Sequence, residues 1–304
     1  MRKRQQAARS TKLPPRRPLP LLLTSTMPRL LRRICLAILI PIAGVLALLT
    51  GCQSKLIYFP RPYGPDHVAR WDAEPGTTLV NYKTTDGQHQ AYLLSSSAKP
   101  ERLWIVCGGN GTLALEWSDW LRENGPPQDA WLLVDIPGYG ACQGSPRPAS
   151  IRRTLKAALP AGMESLKWSL PADHAKLRFF GHSLGSAVSL MAADEFDLRR
   201  GVLLTPFTSS MDMTEAMLGV DLGFIVWHRF DNRARLTDLA KHDGAEVFIL
   251  HGDNDEAIPV AMSRDLAKEF PGLVRYTEIP GGRHNDLQDI AAGKIRAAMD
   301  SARR

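Results

Sequence analysis

Cysteine is scarce in this chain, with 4 in 304 residues. That excludes a disulfide framework, and none of the Cys/His spacings resembles a zinc site. Internal repeats are missing as well, so the chain does not read as a solenoid or propeller. Acidic residues are absent from the first 52 positions, which carry ten basic ones: Arg2, Lys3, Arg4, Arg9, Lys12, Arg16, Arg17, Arg29, Arg32 and Arg33. Beyond position 52 the balance reverses to 28 basic against 31 acidic residues. The formal +7 of the whole chain therefore belongs to its leader, and nothing in it supports nucleic-acid binding.

There is one long apolar run, residues 34–49, interrupted by Pro41 and Gly44. It is short for a comfortable membrane span and reads as a signal-peptide core, with an uncleaved signal anchor as the alternative. The Pro/Arg-rich stretch before it does not look like a normal n-region. Residues 1–26 are expected to be disordered or untranslated, with Met27 as the start and residues 27–33 as the basic flank.

The remaining 250 or so residues can bury one large core, so a single domain is expected over 53–304. Apolar strand candidates lie near 56–59, 78–83, 90–95, 102–107, 130–135, 177–181, 201–205, 246–251 and 274–279. The early ones read as antiparallel. The later ones alternate with helical stretches and imply a mostly parallel sheet with right-handed crossovers, an α/β fold with helices on both faces. Residues 206–242 are the least regular part and carry Phe207, Met211, Met213, Met217, Leu222, Phe224, Ile225, Val226 and Trp227. They form either a cap that lines an acyl pocket or a helix pair packed on the core.

Gly181-His182-Ser183-Leu184-Gly185 follows an apolar strand and precedes a run of small residues, Ser186-Ala187-Val188-Ser189. A Gly-x-Ser-x-Gly turn between strand and helix presents a nucleophilic serine, and glycine at 181 and 185 avoids collisions around the strained residue. A serine hydroxyl needs a base to take its proton and a carboxylate to orient that base. In this kind of sheet the order is Ser, acid, His. His284 sits in a glycine-rich loop after the last strand and is the candidate base. The candidate acids, Asp253, Asp255 and Glu256, lie just past the strand candidate 246–251, and sequence physics alone does not separate the two aspartates. The oxyanion needs two backbone donors. The amide of Leu184 is one, and Asn110 in Gly108-Gly109-Asn110-Gly111 is the other. His182 and His251 read as packed or hydrogen-bonded supports, and Trp104, Trp131 and Trp168 as core.

These residues together resemble an α/β-hydrolase, and more narrowly the membrane-associated BEM-type hydrolases. Leu56-Ile57-Tyr58-Phe59-Pro60 resembles that group's opening strand, and Cys107-Gly108-Gly109-Asn110 its strand-then-HGN segment. Asp135-Ile136-Pro137-Gly138-Tyr139-Gly140, then the GHSLG turn, His251-Gly252 with Asp255 and Pro259, and Gly281-Gly282-Arg283-His284-Asn285-Asp286 complete the match over residues 54 to 300. The resemblance selects Asp255 as the acid. Gly108 for histidine, Ile136-Pro137 for Tyr-Arg and Cys142 for serine are departures around the acyl site that leave the triad's chemical groups in place. Leu49-Thr50-Gly51-Cys52 resembles a bacterial lipobox, which implies a signal peptide over 1–52 and a lipidated Cys52. Gln53 after it implies outer-membrane delivery, on the periplasmic face, in a host with two membranes.

The expected activity is hydrolysis of a carboxylic ester or thioester, small or lipid-like, through an acyl-enzyme, with no metal or organic cofactor required. The alternatives are an amidase or peptidase using the same triad, or a silent envelope lipoprotein that binds a partner. A Cys107–Cys142 disulfide is possible in an oxidising compartment, although Cys107 also suits a buried apolar position.

Overall fold

The computed structural model describes residues 28–221 and 223–304. The expectations for residues 1–26, for a start at Met27 and for Leu222 fall outside them. The described residues divide into two units, with the boundary between residues 45 and 46. Helix α1 (Arg29–Gly51) is 23 residues long and keeps Pro41 in its interior. Arg29 to Arg33 extend the helix on the N-terminal side of the apolar run, and at 1.5 Å per residue α1 reaches roughly 35 Å. Its 20-residue window Arg29–Leu48 has a mean hydropathy of 2.1. Length and composition thus suit a single span, and a signal sequence equally.

The larger unit is built on one eight-stranded sheet. In chain order its strands are β1 (Thr77–Thr84), β2 (Gly87–Ser95), β3 (Leu103–Cys107), β4 (Ala130–Val134), β5 (Leu177–His182), β6 (Arg200–Leu204), β7 (Glu246–Gly252) and β8 (Val274–Ile279). Their spatial order is β1-β2-β4-β3-β5-β6-β7-β8. The β1–β2 and β2–β4 pairs are antiparallel, and every pair from β4 onward is parallel. The burial patterns explain the choice. β3, β4 and β5 are buried at every position and must be covered on both faces, whereas β8 alternates like an edge strand. Eight of the nine strand candidates are strands.

The ninth is not: the expected opening strand at 56–59 is replaced by helix α2 (Gln53–Ile57) followed by extended chain. The Tyr58 N–H still bonds the Ser54 carbonyl, and the Phe59 N–H is taken by the Asn110 carbonyl, so neither is free to extend a sheet.

Helices α3 (His67–Ala73), α4 (Ser118–Asn124), α5 (Pro148–Ser165) and α6 (Leu184–Phe196) alternate with the early strands, and α9 (Val260–Glu269), α10 (Leu287–Ile290) and α11 (Ala292–Ala302) follow β7 and β8. Between β6 and β7 lie α7 (Ser210–Leu218) and α8 (Asn232–Leu239). Two apolar clusters fill the two faces of the sheet, one centred on Ile105, Leu132, Phe179 and Leu203, the other on Trp104, Trp131, Phe180 and Val202. Cys107 and Cys142 are both free; Cys107 is part of the first cluster and the Cys142 thiol donates to the Gln90 carbonyl at 3.4 Å.

The central helix α6 packs so closely on β3 that a Cβ on Gly185 would collide with the Cys107 carbonyl oxygen and stand 2.5 Å from its carbonyl carbon. Gly293 in α11 has nothing within 4 Å of the same position. Gly185→Ala is therefore expected to cost about 1–3 kcal/mol, lowering Tm by roughly 2–4 °C per kcal/mol. Gly293→Ala gains up to about 1 kcal/mol. Thermal melts of both check this, and a Gly185→Ala protein as stable as the parent contradicts it.

Candidate active site

Ser183 sits between β5 and α6 with φ 56° and ψ −124°, a conformation that a side-chain-bearing residue rarely adopts. The glycines around it permit the turn: a Cβ on Gly181 would press on the Gly185 carbonyl and stand 2.5 Å from Ser189 Oγ. The Ser183 N–H donates to the Leu204 carbonyl at 3.0 Å, tying the turn to the neighbouring strand. Its Oγ consequently stands at the carboxyl ends of the parallel strands, where open α/β sheets place their sites.

The loops after β7 and β8 are stitched together over the same edge. The Asn254 N–H donates to the Gly282 carbonyl, the Asp253 N–H to the Ile279 carbonyl, and the Gly281 N–H to Asp253 Oδ1 at 2.7 Å. Gly252 and Gly282 approach so closely that neither tolerates a side chain without a shift. This stitching brings Asp255 and His284, 29 residues apart, within 2.8 Å (Oδ2 to Nδ1), and places His284 Nε2 3.0 Å from Ser183 Oγ.

The hydrogen bonds fix the protonation pattern. The Nδ1–H of His284 donates to the Asp255 carboxylate, leaving the Nε2 lone pair to accept from the Ser183 hydroxyl. The Asp255 side chain is fully inaccessible. Burial pushes its carboxyl upward, yet hydrogen bonds from His251, His284 and the Ile258 amide outweigh that and hold it well below the ordinary carboxylate range. Its Oδ1 accepts from the Ala257 and Ile258 N–H groups, each at 2.8 Å.

His251, expected as a packed or hydrogen-bonded support, is one. It is fully buried, its Nδ1 is 2.7 Å from Ser263 Oγ, and its Nε2 faces both the Ile258 carbonyl (3.0 Å) and Asp255 Oδ2 (3.2 Å). Two acceptors at Nε2 demand the proton there, so Nδ1 accepts from the serine hydroxyl. Asp255 thus lies between two imidazoles. What the sequence did not give is the partner: the His-Gly pair ends a buried strand four residues before the aspartate that its Nε2 faces.

Asp253 and Glu256 do other things. Asp253 pins the Gly281 amide, and Glu256, exposed, accepts from the His284 N–H at 3.3 Å and from Arg283. His182 is buried and its Nε2–H donates to the His284 carbonyl at 3.1 Å.

On the other side of Ser183, Gly109 packs against it, 3.5 Å from a Cβ built on Gly109 to the serine Cβ. Asn110 is clamped: its Nδ2 donates to the Ile57 carbonyl, and its own carbonyl accepts from the Phe59 N–H and the Tyr139 hydroxyl. Among the described residues, the backbone N–H groups of Asn110 and Leu184 have no acceptor. Asp135, at the end of β4, holds the same loop. It is buried, accepts from Tyr63 Oη (2.7 Å) and the Ala114 N–H (2.8 Å), and burial raises its carboxyl to about 6.

The irregular stretch after β6 divides. α8 packs on α6 and has Leu236 and Leu239 buried, whereas α7 has no buried residue. Phe207 and Val226 are buried, while Met217, Phe224 and Trp227 point to solvent rather than lining a closed pocket.

No protein-family model matches the chain. An uncharacterised protein of Mycobacterium tuberculosis is 27% identical over 268 residues, covering 86% of this chain and 90% of the relative. The alpha/beta hydrolase domain-containing protein aho-3 of Caenorhabditis elegans is 27% identical over 168 residues, 55% of this chain and 47% of that protein. Among solved structures, an alpha-beta hydrolase from Vibrio vulnificus superposes with a TM-score of 0.60 at 18% identity, covering 78% of this chain and 88% of its own. A Pyrococcus furiosus esterase superposes at 0.55 with 14% identity, covering 81% and 97%. The chain has the α/β-hydrolase fold.

Burial, with the nearby His284 adding to it, pushes the His182 imidazole down to about 4. Its unfolded value is 6.5, so between those limits the folded form binds fewer protons than the unfolded chain. Its stability contribution is complete above pH 6.5 and is lost as pH falls towards 4; His89 and His228, also lowered by burial, act in the same direction. Between pH 7 and pH 5 the loss through His182 is about 2 kcal/mol. Urea unfolding at both pH values should show His182→Gln losing less on acidification than the parent protein; equal losses contradict the assignment.

Proposed function

We propose that the protein is a serine hydrolase that cleaves carboxylic esters or thioesters, with Ser183 as nucleophile, His284 as general base and Asp255 as the carboxylate that orients it. The continuous hydrogen-bonded chain from Ser183 Oγ through His284 to a desolvated, ionised Asp255 carries this reading. A serine that merely turned a corner would not need the strained backbone at 183 or the four donors gathered on Asp255. The description of the Pyrococcus neighbour as an esterase supports an oxygen ester as the bond cleaved.

The chemistry follows from the geometry. Ser183 Oγ attacks the carbonyl carbon while its proton passes to His284 Nε2. The imidazolium that forms is stabilised by Asp255, which stays ionised because its low-lying pKa disfavours taking the proton. Negative charge on the carbonyl oxygen is met by the free amides of Leu184 and Asn110, preorganised at no cost at the moment of reaction. Collapse of the tetrahedral intermediate expels the alcohol or thiol, which receives the proton from His284. Water then attacks the acyl-serine by the same route and releases the acid. His251 is a positioning residue in this scheme, holding Asp255 through Nε2–H.

The resemblance to BEM-type hydrolases and the lipobox-like end of α1 support placement at the cell envelope, anchored through a lipidated Cys52, on the periplasmic face of the outer membrane in a host with two membranes. The substrate class that suits such a place is a small or lipid-like ester.

Folded protein is expected to hydrolyse p-nitrophenyl esters and to react with a fluorophosphonate probe. Ser183→Ala should abolish both, and Asp255→Asn should lower kcat by about 10⁴-fold. Absent labelling of the folded parent, or equal labelling of Ser183→Ala, contradicts the reading. Matched ester and amide substrates distinguish an esterase from an amidase.

A further inference from the structure

Among the described residues, five large apolar side chains are exposed within a short stretch after β6: Met217, Leu218, Val220, Phe224 and Trp227, the last two 69% and 74% accessible. Scattered exposed apolar residues are ordinary, but a grouping of this kind marks an interaction surface. The stretch is one surface, because the turn at Gly223–Ile225 packs against α7, with a Cβ position on Gly223 only 3.0 Å from Met211 Cβ. Leu56 on α2 is exposed beside it in the chain that the turn binds.

That chain is the segment immediately after Cys52. The Gln53 side chain is buried and forks across the turn: its Nε2 donates to the Ile225 carbonyl, and its Oε1 accepts from the Trp227 N–H (2.8 Å) and the His228 N–H (3.3 Å). Ser54 Oγ and Tyr58 Oη take the two ring nitrogens of His228 at 3.2 and 3.1 Å. Trp227 is thus one hydrogen bond away from the residue that follows the proposed lipid site. Lys55 and Arg229, both exposed, flank this junction, and among the described residues neither has an acidic partner. Asp212, paired with Arg233, and the exposed Glu215 and Asp221 are the carboxylates of α7 and the turn after it.

We infer that this surface is a second membrane contact, in which Phe224 and Trp227 enter the interfacial layer of the bilayer and Lys55 and Arg229 meet lipid phosphates. The inference rests on the proposed anchoring at Cys52. A bilayer fixed at position 52 lies against the Gln53 fork, so it reaches the apolar stretch before any soluble partner can. Tryptophan with its apolar body and N–H suits the headgroup level, and basic side chains favour anionic lipid there. The contact also bears on the substrate. Residues 57–59, continuing from the same fork, are hydrogen-bonded to Asn110 beside the serine site, so a docked surface presents that site to esters held in the membrane.

Trp227 supplies its own probe. It is the one exposed tryptophan of 7, and residues 1–52 contain none. The full chain is reconstituted into phosphatidylcholine/phosphatidylglycerol vesicles whose acyl chains are brominated near the headgroup, and vesicle flotation and tryptophan emission are both read. The expected result is flotation together with quenching of roughly one-seventh of the emission, Trp227 being one of 7, and with that quenching lost in Trp227→Phe. Flotation with equal quenching in parent and variant, or with none in either, overturns the second contact while leaving the anchor intact. Failure to float overturns the anchor and the contact with it. Far-ultraviolet circular dichroism of the variant confirms that it is folded.

Discussion

The hydrogen bond between His284 and Asp255 is the contact on which the site depends. It joins two loops that leave neighbouring parallel strands, and it selects the imidazole tautomer whose lone pair faces Ser183. Without it, the serine hydroxyl would have a partner of undefined protonation. Asp255 is able to serve because it is buried yet still charged, and it is charged because four donors converge on it. An unpaired buried carboxylate would instead take up a proton.

The backbone makes that convergence possible. Gly252 against Gly282 lets the acid and base loops touch, and Gly185 against Cys107 seats α6 on the sheet so that Ser183 stands above β5. Each close approach would be lost to a single methyl group. The strained φ of Ser183 is held by its N–H bond to Leu204 and by the helix that begins at the next residue. Strain of this kind persists where surrounding structure over-determines it, and here it directs the hydroxyl at His284 Nε2.

Much of this was legible in the amino-acid sequence because it is written in local signals. Strands with apolar runs, such as residues 246–252, and the glycine turns at 181–185 and 281–282 announce themselves through composition. Local composition did not separate Asp253 from Asp255, since both are one loop from the same strand; the family resemblance selected Asp255, and three-dimensional placement distinguishes the residue that pins Gly281 from the one that meets His284. The segment 56–59 misleads for a related reason. Its residues have strand-like character, but its backbone donors are claimed by Ser54 and by the Asn110 loop, a long-range fact that no window of sequence contains. The fork of Gln53 on the turn before His228, spanning more than 170 residues, is of the same kind.

In the proposed reaction these three side chains together carry an acyl group from substrate to water. The most direct measurement is acid-quenching of the protein during the first turnovers of a slowly deacylating ester, followed by proteolysis and mass determination of the peptides. One acyl adduct is expected, on Ser183. An ester turned over with the adduct on another residue, or with no adduct on Ser183 at any quench time, would contradict it.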